Sequence, residues 1–213
     1  THLIENGFKT IRATSSDSND KLQDNQTAIA IEVRFPEKTS KKPAIAIWAE
    51  SSTGAIIETL YLSPELAYSD QPNWYGIKSP RHHILPIWRN KFTLISGIEP
   101  NGDIDIFSGA TAEHKFNLNK FFINTEDDYL IFLEINMPFD TNEHWQDKNL
   151  GQPSILYSAY VEHSKKRGNF LLELTGHGGN PENKGKIQYI LDTLTSAKEL
   201  IDVALISTFS VKQ

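Results

Sequence analysis

The chain has 213 residues, 38% hydrophobic and 23% charged, enough for one domain with a buried core. Lys and Arg number 21 against 27 Asp and Glu, a net charge of −6, which offers no basic stripe to a phosphate backbone and argues against a nucleic-acid partner. Cysteine is absent, so disulfides and thiolate metal ligands are excluded and a metal would need imidazole, carboxylate or carbonyl donors.

Residues 1–27 read as a polar N-terminal arm, because the stretch KTIRATSSDSNDKLQDNQT shows no apolar period. The remainder, 28–213, reads as a single β-sandwich domain. Ala28 to Phe35 alternates and meets Pro36, the pattern of a strand closed by a residue that cannot donate to a ladder. Pro43 to Glu50 is a second strand, the Ser51-Ser52-Thr53-Gly54 stretch has turn chemistry, and Ala55 to Leu62 is the return strand of a hairpin. Residues 63–82 hold prolines and the pair Trp74-Tyr75 without a usable period, and are expected to form a long irregular loop.

Phe92 to Ile95 and Ile104 to Phe107 are short strand candidates, the second after a Pro100–Asp103 turn and before the Ser108-Gly109-Ala110-Thr111 break. Tyr129 to Ile135, Ile155 to Val161 and Asn169 to Leu174 are strongly strand-like. Near the C-terminus Ser196-Ala197-Lys198-Glu199 fits a capping box, with Leu200, Val203 and Ala204 as an apolar stripe, and predicts one short helix before a last strand over Leu205 to Phe209. Strands separated by polar loops rather than helices predict a mainly β fold, an antiparallel β-sandwich with long loops and one short C-terminal helix. No apolar run approaches the roughly 18 residues that cross a bilayer.

The seven histidines, His2, His82, His83, His114, His144, His163 and His177, match no zinc-protease or paired-imidazole spacing. His82-His83 is the densest cluster and closes the long loop just before the apolar ILPIW segment; the competing reading is two surface imidazoles. His114 follows the SGAT turn at one end of the sandwich, where loops from different strands meet, and reads either as a ligand or as an exposed loop residue. His177, held between Thr175-Gly176 and Gly178-Gly179, reads first as a structural imidazole bonded to a backbone carbonyl. His144 and His163 read as solvated loop residues. Glu50 and Glu134 lie on apolar strands, where the main expectation is strand-end charges facing solvent and the rival one an acid/base pair of a hydrolase. No nucleophile-elbow motif occurs, so serine-triad catalysis has no support.

The order AIWAE, ETLYLS, LPIW, SGAT, YLIFLEI, QPSILYSAYV, LTGHGG and LTSAKELID resembles a group of exported bacterial β-sandwich proteins, from about Pro43 onward. That group includes the methanotroph copper-binding surface proteins of the MopE/CorA type. The resemblance implies a copper(I) ion held by two imidazoles and by kynurenine, an oxidised tryptophan. The family's tryptophan stands two residues before a histidine, and no Trp-x-His occurs here; at Trp88-Arg89-Asn90 the ligand position is Asn. The expected metal ligands are His83, His114 and Trp88, the last only if opened to an aromatic amine, with a buried core aromatic as its other reading. His82 in place of His83 and Trp74 in place of Trp88 are the substitutes.

The function expected is copper binding for acquisition at the cell surface, associated with the outer membrane or in the periplasm, without enzymatic turnover. Its expected partners are the copper ion and an oxidising enzyme that modifies tryptophan. Export is the commonest reason for a chain to begin at Thr1 rather than Met. The alternative is a non-enzymatic carbohydrate- or protein-binding β-sandwich module with Trp74 and Tyr75 as its aromatic platform.

Overall fold

A computed structural model describes residues 27–37, 43–63, 73–74, 77–78, 83–96, 115–122, 127–137, 139–165 and 167–210. Of the N-terminal arm expected over 1–27, Thr27 is the first residue of a strand and the rest lies outside them, as do His82, His114, the Pro100–Asp103 turn, the Ile104–Phe107 strand and the SGAT segment. The fold is mainly β, with two antiparallel sheets. One contains β1 (Thr27–Arg34), β6 (Lys115–Phe122), β9 (Gly168–Leu171) and β11 (Val203–Ser210) in the order β6-β1-β11-β9. The other contains β2 (Ala44–Ser51), β3 (Ile56–Leu62), β7 (Tyr129–Asn136), β8 (Ile155–Val161) and β10 (Glu173–His177) in the order β10-β8-β7-β2-β3. The expected hairpin is present, with Ala46 opposite Leu62. Within the long 63–82 connection, Asn73–Trp74 (β4) pairs with Ile77–Lys78 (β5).

The two sheets share one apolar cluster. Ile29, Ile31 and Val33 of β1 and Ile206 of β11 belong to the same buried group as Ile45 and Ile47 of β2 and Ile131, Leu133 and Ile135 of β7. β2 is buried on both faces, which explains its unbroken apolar run AIAIWA. Its other face presents Ala44, Ala46 and Trp48 to a second cluster that contains Ile84, Leu85, Ile87 and Trp88.

Those last two residues sit on α1 (Pro86–Ser96), an α-helix against the outer face of the five-stranded sheet. It corrects the expected Phe92–Ile95 strand. Proline at the first helical position loses no intrahelical bond, since that N–H has no partner in a helix anyway. The next two N–H groups are capped from the sheet: Ile87 donates to Glu134 Oε1 at 3.1 Å and Trp88 to Glu134 Oε2 at 2.8 Å. Burial of Ile87 and Trp88, at 1% and 3% exposure, then outweighs the β preference of Phe92, Thr93 and Ile95.

Two other expectations are revised. Asn169–Leu174 is not one strand: β9 pairs with β11, the chain changes sheets at Leu172, and β10 pairs with β8. Residues Ser196–Glu199 form a 3-10 helix without a side-chain cap from Thr195. The Ser196 hydroxyl, expected to cap, instead donates to the Asp140 carboxylate at 2.8 Å.

Candidate functional site

Register places Ala44, Asn136, Ile155 and His177 at one end of the five-stranded sheet, because Ala44 pairs with Asn136 and Ile155 pairs with both Ile135 and His177. Three connections meet there: the His83–Leu85 turn before α1, the 137–154 connection between β7 and β8, and residues 178–181 after β10. The described residues of the β7–β8 connection form no strand or helix; local backbone turns such as Gly151 N–H to the Asp147 carbonyl and Gln152 N–H to the Asp140 carbonyl and a set of side-chain bonds hold it instead.

Gln152, 1% exposed, ties the connection together and to residues 195–196. Its Nε2 donates to Asp140 Oδ2 and Ser196 Oγ at 2.9 and 2.8 Å, while its Oε1 accepts from Asn142 Nδ2 and Thr195 N at 3.1 and 2.8 Å. Asn142 in turn accepts the backbone N–H groups of His144 and Trp145, both at 2.8 Å, through one side-chain oxygen. Trp145 is further fixed by its indole N–H, 3.3 Å from Thr193 Oγ1, and by an edge contact with the His177 ring at a centroid distance of 6.0 Å.

This connection walls a cavity of about 300 Å³ lined by His83, Asn136, His144, Trp145, Asp147 and Asn180 among others. Asn136 is 3% exposed; its Nδ2 donates to the Ile84 carbonyl at 2.8 Å, and its Oδ1 has no hydrogen-bond partner. His83, half-buried, also borders a second cavity of about 360 Å³, walled by Arg89 and Asn90 of α1 and by Lys184 and Gly185.

Of the expected ligands, His83 therefore stands at the junction of two cavities. Trp88 lines neither of them; its indole N–H donates to Thr59 Oγ1 at 3.1 Å and its ring lies 5.4 Å from that of Phe92. As an intact indole it is a core aromatic with no nitrogen lone pair to offer. Trp74 lies on β4, whereas His82, His114 and Tyr75 are outside the described residues. The histidine that shares a cavity with His83 is His144, which the sequence pattern does not single out. Among the described residues no group of three or more His, Asp or Glu side chains is gathered to hold a metal.

His177 is a structural imidazole. Nδ1 accepts the Gly179 N–H at 3.1 Å, which leaves Nε2 to donate to the Ile190 carbonyl at 3.1 Å, and burial lowers its pKa below the ordinary 6.5.

Glu50 and Glu134 do not face solvent, at 3% and 0% exposure. Both point to the α1 side, but Glu134 is opposite Ala46, four residues along β2 from Glu50, a separation of about 13 Å. They share no site. Glu50 accepts from the Trp48 indole at 2.7 Å and pairs with Lys91 at 3.0 Å. Glu134 accepts three hydrogen bonds, from Ile87, Trp88 and the Ser154 hydroxyl, yet complete burial outweighs them and pushes its pKa up to about 7.

No helix among the described residues is long and apolar enough to cross a membrane. Comparison with protein-family models, curated proteins and solved structures finds no match to this chain.

Proposed function

We propose that the chain binds copper(I) outside the cytoplasm, for acquisition rather than turnover, with His83 as one imidazole donor. The observation that supports this reading is that His83 and His144 border one cavity of about 300 Å³. Copper(I) accepts low coordination numbers and bonds well to neutral imidazole, so two such donors with a weak third suit it without cysteine. His144 is the second donor among the described residues, and His114 is the second donor expected from its place after the SGAT turn. The third is a tryptophan opened to its aromatic amine: Trp145 lines the cavity itself, while Trp88, the tryptophan expected from the sequence, stands outside its lining and is the other candidate.

The test is copper(I) loading of the chain against a chelator of known affinity, for the parent and for His83→Ala, His144→Ala, His114→Ala and Trp88→Phe. One copper per chain in the parent, lost with His83→Ala and with one of the other two histidine variants, supports the reading. Binding should weaken below about pH 6, where protons compete for imidazole. Intact mass of natively produced protein reports the modification, because conversion of indole to kynurenine exchanges a carbon for an oxygen and adds about 4 Da. Retention of one copper by all four variants sinks the proposal.

A further inference from the structure

We propose that the cavity beneath the β7–β8 connection binds a hydroxylated ligand of the saccharide class, with Asn136 as its buried hydrogen-bond acceptor and Trp145 as its apolar platform. The inference does not rest on copper binding. It begins with the unsatisfied carbonyl: Asn136 is 3% exposed, one end of its amide is engaged with Ile84, and Oδ1 has no partner. Buried amide oxygens are nearly always paired, so an orphan beside a cavity marks a place where a donor belongs. Two polar side chains at this end of the sheet are already committed, since the Gln152 amide serves Asp140 and Ser196 and the Ser154 hydroxyl serves Glu134.

The second observation is the preformed wall. Trp145 is held at its backbone by Asn142, at its indole N–H by Thr193 and at its ring by His177, so little rotamer freedom remains to be lost on binding. A fixed aromatic ring beside polar groups matches a pyranose, which has an apolar C–H face and a rim of hydroxyls. A volume of about 300 Å³ lies at the small end of ligand cavities and suits one ring.

The experiment is a titration of metal-free protein with neutral monosaccharides (glucose, galactose, mannose and N-acetylglucosamine) and with their short β-linked oligomers, followed by the backbone N–H resonances of the cavity-lining residues His144, Gly151 and Asn180, which both variants below retain. Saturable shifts with at least one sugar, weakened about tenfold or more by Asn136→Leu and by Trp145→Ala, support the proposal. Equal affinity for monomer and oligomer identifies a free sugar, and tighter binding of the oligomer identifies a glycan. Should Asn136→Leu fail to fold, Trp145→Ala carries the test alone. The absence of shifts with every sugar, shifts indifferent to both variants, or a crystal structure of the sugar-soaked protein with an ordered water only on Asn136 Oδ1 would each overturn it. Copper loading of the same samples is read separately, so loss of one activity leaves the other measurable.

Discussion

Glu134 and Trp88 are joined across 46 positions of sequence, the carboxylate of β7 accepting the backbone N–H of the third residue of α1 at 2.8 Å. An acceptor at this place satisfies an N–H that the helix itself cannot, and a negative charge there meets the positive end of the helix dipole. Burial opposes the charge, and the balance leaves a carboxyl that titrates near neutrality.

That balance sets a pH dependence. The folded-state pKa of Glu134 is raised from the ordinary 4.5 to about 7, so the native state holds the proton more tightly than the unfolded chain does. Its contribution is therefore fully present below about pH 4.5 and is lost as pH rises through about 7. Urea unfolding between about pH 5 and about pH 8 should show a falling component on the order of 2 kcal/mol, and Glu134→Gln should remove it. His177, with its lowered pKa, acts in the opposite sense and loses stability as pH falls below about 6.5. Equal pH profiles for the parent and Glu134→Gln would contradict this account.

The Glu50–Lys91 pair ties the middle of α1 to β2, with Glu50 buried and Lys91 partly exposed. Removing only the cation leaves a desolvated carboxylate whose remaining donor is the Trp48 indole. Lys91→Met is expected to cost about 1–3 kcal/mol, and a double change with Glu50→Gln to recover part of it. A double-mutant cycle by chemical denaturation gives the coupling, and a value near zero would show that the ion pair does not anchor the helix.

Gly185 lies where the turn after the 3-10 helix Pro181–Asn183 crosses α1. Its φ is +74°, and a Cβ there would stand 2.1 Å from the Pro86 carbonyl oxygen. Gly185→Ala therefore combines backbone strain with a backbone clash, and a loss of about 2–4 kcal/mol is expected. Thermal unfolding within 1 kcal/mol of the parent, as an order-of-magnitude bound, would mean that the turn moves away at little cost.

Gln152→Leu should leave Asp140, Asn142 and Thr195 without the amide that joins them. We expect a destabilisation of about 2–3 kcal/mol together with a red-shifted tryptophan emission as Trp145 loses its support. Unchanged emission and stability would show that the remaining bonds order the connection without Gln152.

The strands were legible where composition and burial agree. The β2–β3 hairpin announces itself by a fully apolar run, a Ser/Thr/Gly turn and a second apolar run, and β7 and β8 by Leu, Ile, Tyr and Val dense enough to allow no other reading. In β6, Phe116 and Leu118 alternate with asparagines, a period-2 signal diluted by polar neighbours. The helix was not legible because its cap comes from β7, far along the chain. The division of Asn169–Leu174 between sheets was equally hidden, since its local pattern is continuous and the break at Leu172 is set by which partners lie alongside. At the candidate site, His83 stood out as part of a pair. Asn136, Gln152 and Trp145 carry no periodic signature, and only folding reveals that they surround one cavity.

β1 has both of its neighbours far away in the chain: Arg34 pairs with Lys115 on one side and with Val203 on the other. During synthesis β2 and β3 can pair at once, while β1 has no sheet partner until β6 emerges and lacks its second until β11 does, after every strand of the five-stranded sheet. Ile29, Ile31 and Val33 are exposed meanwhile, an apolar edge open to wrong pairing. Closing so long a loop late makes assembly slow, and places the chain's greatest risk of aggregation before its last strand arrives.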